Sequence, residues 1–165
     1  MAAKRIAVII TLLLIGSLVY WASNCDNIIS DEDLIRQLFQ KEDALKSAED
    51  ISPVNTIYTE TAIVYDGNGT ADESDDSLLL NGIDEITDYY QNFFNTCENI
   101  QHTSAITDIV LNGNTATCNK ITTGSHVITA TQAVFIMPGD TQPWTLQKIN
   151  ENWFVVEATW FTEPY

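Results

Sequence analysis

Basic residues are what this chain has fewest of: seven Lys and Arg stand against 23 Asp and Glu in 165 residues, a formal net charge of −16. A nucleic-acid partner needs a cationic footprint to displace the counterions on its phosphates, so nucleic acid is excluded. Anionic lipid headgroups repel the domain for the same reason. That leaves solubility as the plain reading of the charge. Histidine is also scarce, with two residues, His102 and His126. On different strands they fall short of the cluster a metal ion needs. No glycine-rich phosphate loop, dinucleotide fingerprint or nucleophile elbow is present, so no cofactor is expected. No internal repeat is visible, and the length fits one domain with a core plus a terminal extension.

One long apolar run stands out at the start of the chain. Lys4-Arg5 followed by Ile6 to Ala22 is a basic start and a 17-residue apolar stretch, near the lower limit for a membrane span at about 1.5 Å rise per residue. The two cations stay in the cytoplasm, so the rest of the chain is sent outward. Ala22-Ser23-Asn24-Cys25 resembles a bacterial lipoprotein cleavage box, with Cys25 as the lipidated residue. Asn24 and the lack of a Leu three positions before the cysteine depart from it. Lipoprotein, uncleaved anchor and cleaved signal peptide remain open, and all three export the domain that starts at residue 26. Membrane contact is then expected through this segment alone. Without the first 25 residues, 5 basic face 23 acidic residues, a net charge of −18.

An exported protein invites a Cys97–Cys118 disulfide. If a hairpin turns at Asn112-Gly113, however, Cys118 lies opposite a residue near Thr107, about 33 Å along the strand from Cys97. A disulfide needs Cα atoms within about 7 Å, so both cysteines read as small buried apolar residues.

Ser30 caps a helix through about Glu49, with Leu34, Ile35, Leu38, Phe39 and Leu45 on one apolar face. Ser52-Pro53 opens a short helix to about Tyr58. Thr61 to Asp66 is a strand, and Gly67 to Ser77 a solvated acidic loop. That loop has the odd-position spacing of a calcium site, but Ala71 and Ser77 stand where glycine and glutamate are needed. Leu78 to Leu80 is a short strand, and Ile83 to Cys97 a helix with Ile83, Ile86, Tyr90 and Phe93 or Phe94 inward. Ile100 to Leu111 and Thr115 to Thr123 form a long hairpin. Gly124-Ser125 is a bend, which leaves His126 exposed; His126 to Met137 is strand, and Pro138-Gly139-Asp140 a turn. Pro143 to Ile149 and Trp153 to Trp160 are antiparallel strands around Asn150 to Asn152. In strict alternation the last strand is apolar on both faces.

Helices followed by long antiparallel strands make an α+β plan. Tyr58 with Ala62 to Asp66, Asn81 to Ile86, His102 with Ile106 to Gly113, and Trp144 to Trp153 occur in an order that resembles the SnoaL-like proteins of the nuclear transport factor 2-like superfamily. The resemblance spans nearly all of residues 26–165. It implies a cone-shaped half-barrel, a curved antiparallel sheet covered on its concave face by about three helices and enclosing an apolar pocket. A homodimer through the sheet is implied as well, and a two-sided final strand asks for such a cover.

Asp66 stands where ketosteroid isomerases of this superfamily keep a general base. Their oxyanion donors lack counterparts, with Phe39 in place of a tyrosine, so steroid isomerisation is not expected. His102 stands where SnoaL-like and dehydratase relatives place a pocket histidine, and beside Asp66 it would complete an acid/base pair. Tyr58, Tyr90, Phe94, Trp144 and Trp160 are the candidate ligand-binding surface. Binding of a small apolar molecule ranks first, because polar lining residues look sparse. A cofactor-free lyase, isomerase or cyclase using Asp66 and His102, and an envelope interaction module acting through the sheet face, stay open.

Overall fold

The computed structural model describes residues 29–67 and 76–160. The N-terminal segment with Cys25, and the calcium-like spacing of the acidic loop, therefore lie outside the described residues. Among the described residues no helix is long and apolar enough to cross a membrane.

Helix α1 spans Asp31–Ala48, with Asp31, Glu32 and Asp33 in its first turn and Lys46 in its last, each at the end its charge favours. Ile35, Leu38, Phe39 and Leu45 are its buried apolar residues, and Glu42 is buried in the same stripe. The short helix expected after Pro53 is a single 3-10 turn, Val54–Thr56. Ser52 does not cap it; its amide and hydroxyl bond to the Asp50 carboxylate. Strand β1 runs Tyr58–Asp66 and β2 Ser77–Asn81. Helix α2, Ile83–Thr96, follows Gly82, whose φ of 96° suits glycine, and passes directly into β3, Cys97–Asn112.

Strands β4 (Thr115–Ile128), β5 (Ala133–Ile149) and β6 (Asn152–Trp160) complete a curved, unclosed sheet in the order β2-β1-β6-β5-β4-β3. Among the described residues only the β1–β6 pair is parallel. The core lies between α1 and the face of the sheet carrying Ala62, Val64, Leu146, Val155 and Ala158. Two long-range anchors fix α1 on β3: Arg36 donates to the Ile106 carbonyl at 2.7 Å, and the Asp43 carboxylate accepts from both the amide and the hydroxyl of Ser104 at 2.7 Å. Cys97 and Cys118 are free and buried.

Three departures from simple alternation decide what faces inward. The chain does not bend at Gly124-Ser125; β4 continues, and the reversal falls at residues 129–132. Pro138-Gly139-Asp140 is not a turn but a bulge within β5. Ile121 pairs with Thr141 and Thr123 with Pro138, so one residue of β4 faces two of β5. The extra residue switches parity, and Phe135 and Met137 join Gln142 and Trp144 on the inner face. Likewise Thr145 pairs with Glu157 and Leu146 with Val155, so Val156 is a bulge. Trp153, Val155, Ala158 and Trp160 are consequently all buried, while Phe154 and Val156 are half-buried. The two-sided apolar pattern that asked for a second cover on β6 is largely a parity switch.

Candidate functional site

The inner face of β4 is built from every second residue: Ala116, Cys118, Lys120, Thr122 and His126 are all buried. Small and apolar side chains fill its narrow end against Trp144 and Leu146, their register partners Cys118↔Trp144 and Ala116↔Leu146. Beyond them the lining turns polar. A cavity with about 580 Å³ of unfilled space, its open mouth included, is bounded by Tyr89, Tyr90 and Phe93 of α2, Lys46 of α1, and Trp160. His102, Lys120, Thr122, His126, Phe135, Met137 and Gln142 of the long strands close the other side.

Glu42 is the electrostatic centre behind this wall. Its carboxylate is completely buried and accepts from every side. Lys46 lies 2.7 Å from Oε1, Tyr90 donates to the same oxygen at 2.9 Å and Tyr58 at 3.3 Å, while Lys120 holds Oε2. Burial alone would raise the Glu42 pKa, but Lys120 and Lys46 overrule it and hold the carboxyl well below the usual carboxylate range. Lys120 lies 4.3 Å from the Trp144 ring centroid and 5.5 Å from that of Phe39. Desolvation there, with Lys46 adding to it against the pull of Glu42, brings its pKa down to about 8. Lys46 shares the same carboxylate and shifts upward. Burial, then Glu42, pushes both tyrosine hydroxyls up, so they stay protonated donors.

Next to this cluster His102 Nε2 and His126 Nδ1 are 3.3 Å apart, so one of the two nitrogens carries the shared proton. Both rings are kept neutral. Desolvation first, then the positive charge of Lys46, repulsion from His126 were both rings protonated, and the charge of Lys120, brings His102 to about 3, and desolvation lowers His126. The remaining His126 nitrogen, Nε2, and the Trp160 Nε1 are buried with no hydrogen-bond partner among the described residues. Both belong to cavity-lining residues.

The sequence-derived candidates divide. His102, Tyr90 and Trp160 line the cavity. Tyr58, Trp144 and Phe94 stand behind its wall: Tyr58 at Glu42, Trp144 against Phe39 with ring centroids 5.1 Å apart, and Phe94 at 6.0 Å from Tyr90. Asp66, half-buried at the end of β1 opposite Ser77 and Trp160, is not among the lining residues. The histidine beside His102 is His126, which is buried rather than exposed. Glu42, Lys46 and Lys120 are not among those candidates. The legible signal was Glu42 itself, a carboxylate at helical spacing within the apolar stripe of α1. Polar lining is therefore not sparse. Among the described residues no group of three His, Cys, Asp or Glu comes together to hold a metal.

The linkage signs agree in acid. A histidine whose folded pKa is depressed refuses protons that the unfolded chain accepts below about pH 6.5, so its contribution to stability falls as pH drops through that range. Each depressed histidine makes stability rise with pH between its folded pKa and the unfolded value of about 6.5, with a slope of at most about 1.4 kcal/mol per pH unit. Glu42, also depressed, adds the same sign below its unfolded pKa. His126→Phe should therefore flatten the stability curve over this range by about one histidine's share. Urea unfolding at several pH values tests this, and parallel curves for the two proteins would refute it.

Among solved structures, the chain is similar to a conserved protein from Planctomyces limnophilus, at 12% identity over 82% of this chain and 98% of that one with a TM-score of 0.67. It is similar as well to a nuclear transport factor 2-like protein of unknown function from Shewanella baltica, at 17% identity over 84% and 98%, TM-score 0.55. A third, a nuclear transport factor 2-like protein with a cystatin-like fold from Novosphingobium aromaticivorans, is 14% identical over 78% and 79%, TM-score 0.57. At these identities the likeness is one of fold. No curated protein matches the chain. The sequence model of the SnoaL-like domain matches residues 27–159, and the chain belongs to that family, within the nuclear transport factor 2-like superfamily.

Proposed function

We propose that the cavity binds a small ring-bearing molecule and holds one of its oxygen atoms against His126 and Trp160. The observation that carries this is a pair of buried nitrogens with no hydrogen-bond partner among the described residues, His126 Nε2 and Trp160 Nε1, on residues lining one cavity. An unsatisfied buried polar group costs about 1–3 kcal/mol, a cost that a ligand oxygen relieves. The rest of the lining suits a flat apolar body, with Tyr89, Phe93 and Phe135 around it.

Binding of this kind fits the site better than general-base catalysis by a histidine. An imidazole that takes up a proton here becomes a second or third cation beside Lys46 and Lys120, and burial already opposes that charge. The same cations favour negative charge on a ligand oxygen. If the protein catalyses a reaction, the site is suited to stabilising an enolate or alkoxide, with neutral imidazoles as hydrogen-bond donors. Export of this pocket through residues 1–25, and pairing of two chains through the sheet, belong to the same proposal on the strength of sequence alone.

Benzyl alcohol and toluene separate the oxygen from the ring. Titrated against the tryptophan fluorescence of the full-length chain, benzyl alcohol should bind more tightly than toluene. His126→Phe should weaken benzyl alcohol about tenfold, the worth of one hydrogen bond of about 1.4 kcal/mol, and leave toluene unaffected. Equal loss for both ligands, or binding of neither at millimolar concentration, would overturn the reading.

A further inference from the structure

Two lysines share the one buried carboxylate of Glu42, and they are not equivalent. Lys46 is the outer one, its side chain 13% exposed, at the end of α1; Lys120 is the inner one, at 1%, in the cavity wall between the aromatic faces of Trp144 and Phe39. A salt bridge for stability alone does not need the second ammonium. A buried amine beside another cation, with apolar rings around it and a cavity in front, is the arrangement that turns lysine into a nucleophile toward carbonyl carbon.

We propose that Lys120 is a covalent site for a small aldehyde or ketone, capturing it as an imine. This rests on the pocket-binding reading above and names the functional group of its ligand. The lone pair of the neutral Lys120 amine adds to the carbonyl carbon, and the carbonyl π electrons move to oxygen. That oxygen takes a proton from the nearby Lys46 ammonium, and the alkylated Lys120 nitrogen passes one of its own back to the Lys46 amine, which restores the ammonium. The carbinolamine then loses its hydroxyl with one more proton as water, and the nitrogen closes to a protonated C=N bond. The net change is one carbonyl compound, one amine and one proton converted to one iminium and one water, with no oxidant or reductant.

Three features of the site support the sequence. Burial already places the Lys120 pKa near 8, so an appreciable fraction is neutral amine around pH 7–8 while Lys46 stays charged. The charged groups acting on that amine are Glu42, Lys46 and Asp43, all from α1, and His102 of β3 feels its charge in turn. Tyr58 of β1 and Tyr90 of α2 share the Glu42 carboxylate with it, and His126 of β4 lines the same cavity; both tyrosines and both histidines are uncharged, so the carboxylates and Lys46 set the field. The iminium product also keeps its positive charge on the same nitrogen, opposite Glu42. Capture therefore leaves the buried ion pair in place instead of stranding the carboxylate.

The test uses the full-length chain, benzaldehyde and sodium cyanoborohydride, which reduces an iminium to a stable secondary amine. Intact mass and peptide mapping should show one benzyl group per chain, on Lys120, ahead of the exposed Lys41 and the part-exposed Lys148. Accessibility alone would give the reverse order, and the preference should vanish in urea. Lys120→Arg, which keeps a cation against Glu42 but has no nucleophilic amine, should lose that single adduct, with circular dichroism checking its fold. If benzyl alcohol, which cannot condense, binds while wild-type labelling bypasses Lys120 for Lys41 and Lys148, covalent capture is wrong and the binding pocket stands. If benzyl alcohol does not bind and Lys120 is not labelled, both readings fall together.

Discussion

Glu42→Gln should cost about 3–5 kcal/mol, a large part of the 5–15 kcal/mol that holds a domain of this size together. The substitution keeps shape and removes only charge. What it strands is Lys120, whose ammonium has Glu42 as its salt-bridge partner and aromatic rings on its other sides. The new side-chain amide would also present an N–H₂ where the Glu42 carboxylate now accepts from lysine. The native state can then respond only by giving up the Lys120 proton, so a lower Lys120 pKa should accompany the lost stability. The reverse deletion behaves differently. Lys120→Met leaves Glu42 with Lys46, Tyr58 and Tyr90, three donors on one carboxylate, and adds an apolar side chain between Phe39 and Trp144. It should cost clearly less than Glu42→Gln. Urea unfolding of the two variants at pH 7 gives the comparison; equal losses would mean that the pair, not the orphaned lysine, sets the energy.

Gly124→Ala should be the most disruptive change of a single methyl group, at about 3–4 kcal/mol. Gly124 has φ +131°, a region that residues with a side chain rarely adopt, and a Cβ built there falls 1.8 Å from the Gln101 carbonyl oxygen and 3.1 Å from the His102 Cα. The obstacle is backbone on the neighbouring strand, so it cannot be relieved by a rotamer change. Gly124 is also the register partner of His102. Separating β3 from β4 there moves the His102 and His126 rings apart, so affinity for a pocket ligand should fall along with stability. Gly113→Ala is the control. Gly113 turns the β3–β4 hairpin with φ +62°, and nothing lies within 4 Å of its would-be Cβ. It should lose only the left-handed backbone preference, about 1 kcal/mol. A Gly124→Ala protein that unfolds at the same urea concentration as Gly113→Ala would show that the strands can part there without penalty.

Local chemistry was enough for the sequence to determine the order of elements. Helical spacing of Ile35, Leu38 and Phe39 set the buried face of α1, Asn112-Gly113 set the hairpin, and its register kept Cys97 and Cys118 apart. His102 came with the family resemblance rather than with local chemistry. The tertiary structure decided the rest, because each remaining feature depends on a partner far along the chain. Pro138-Gly139-Asp140 has the composition of a turn, and only continued pairing with Ile121 and Thr123 makes it a bulge that brings Phe135 and Met137 inward. Gly124-Ser125 reads as a bend until both neighbouring strands are seen to hold it in the sheet, and that is what buries His126. Glu42 and Lys120 stand 78 positions apart. Each alone is a charged residue at an apolar position, and only the packing of α1 on the sheet shows that the two charges were placed there for each other.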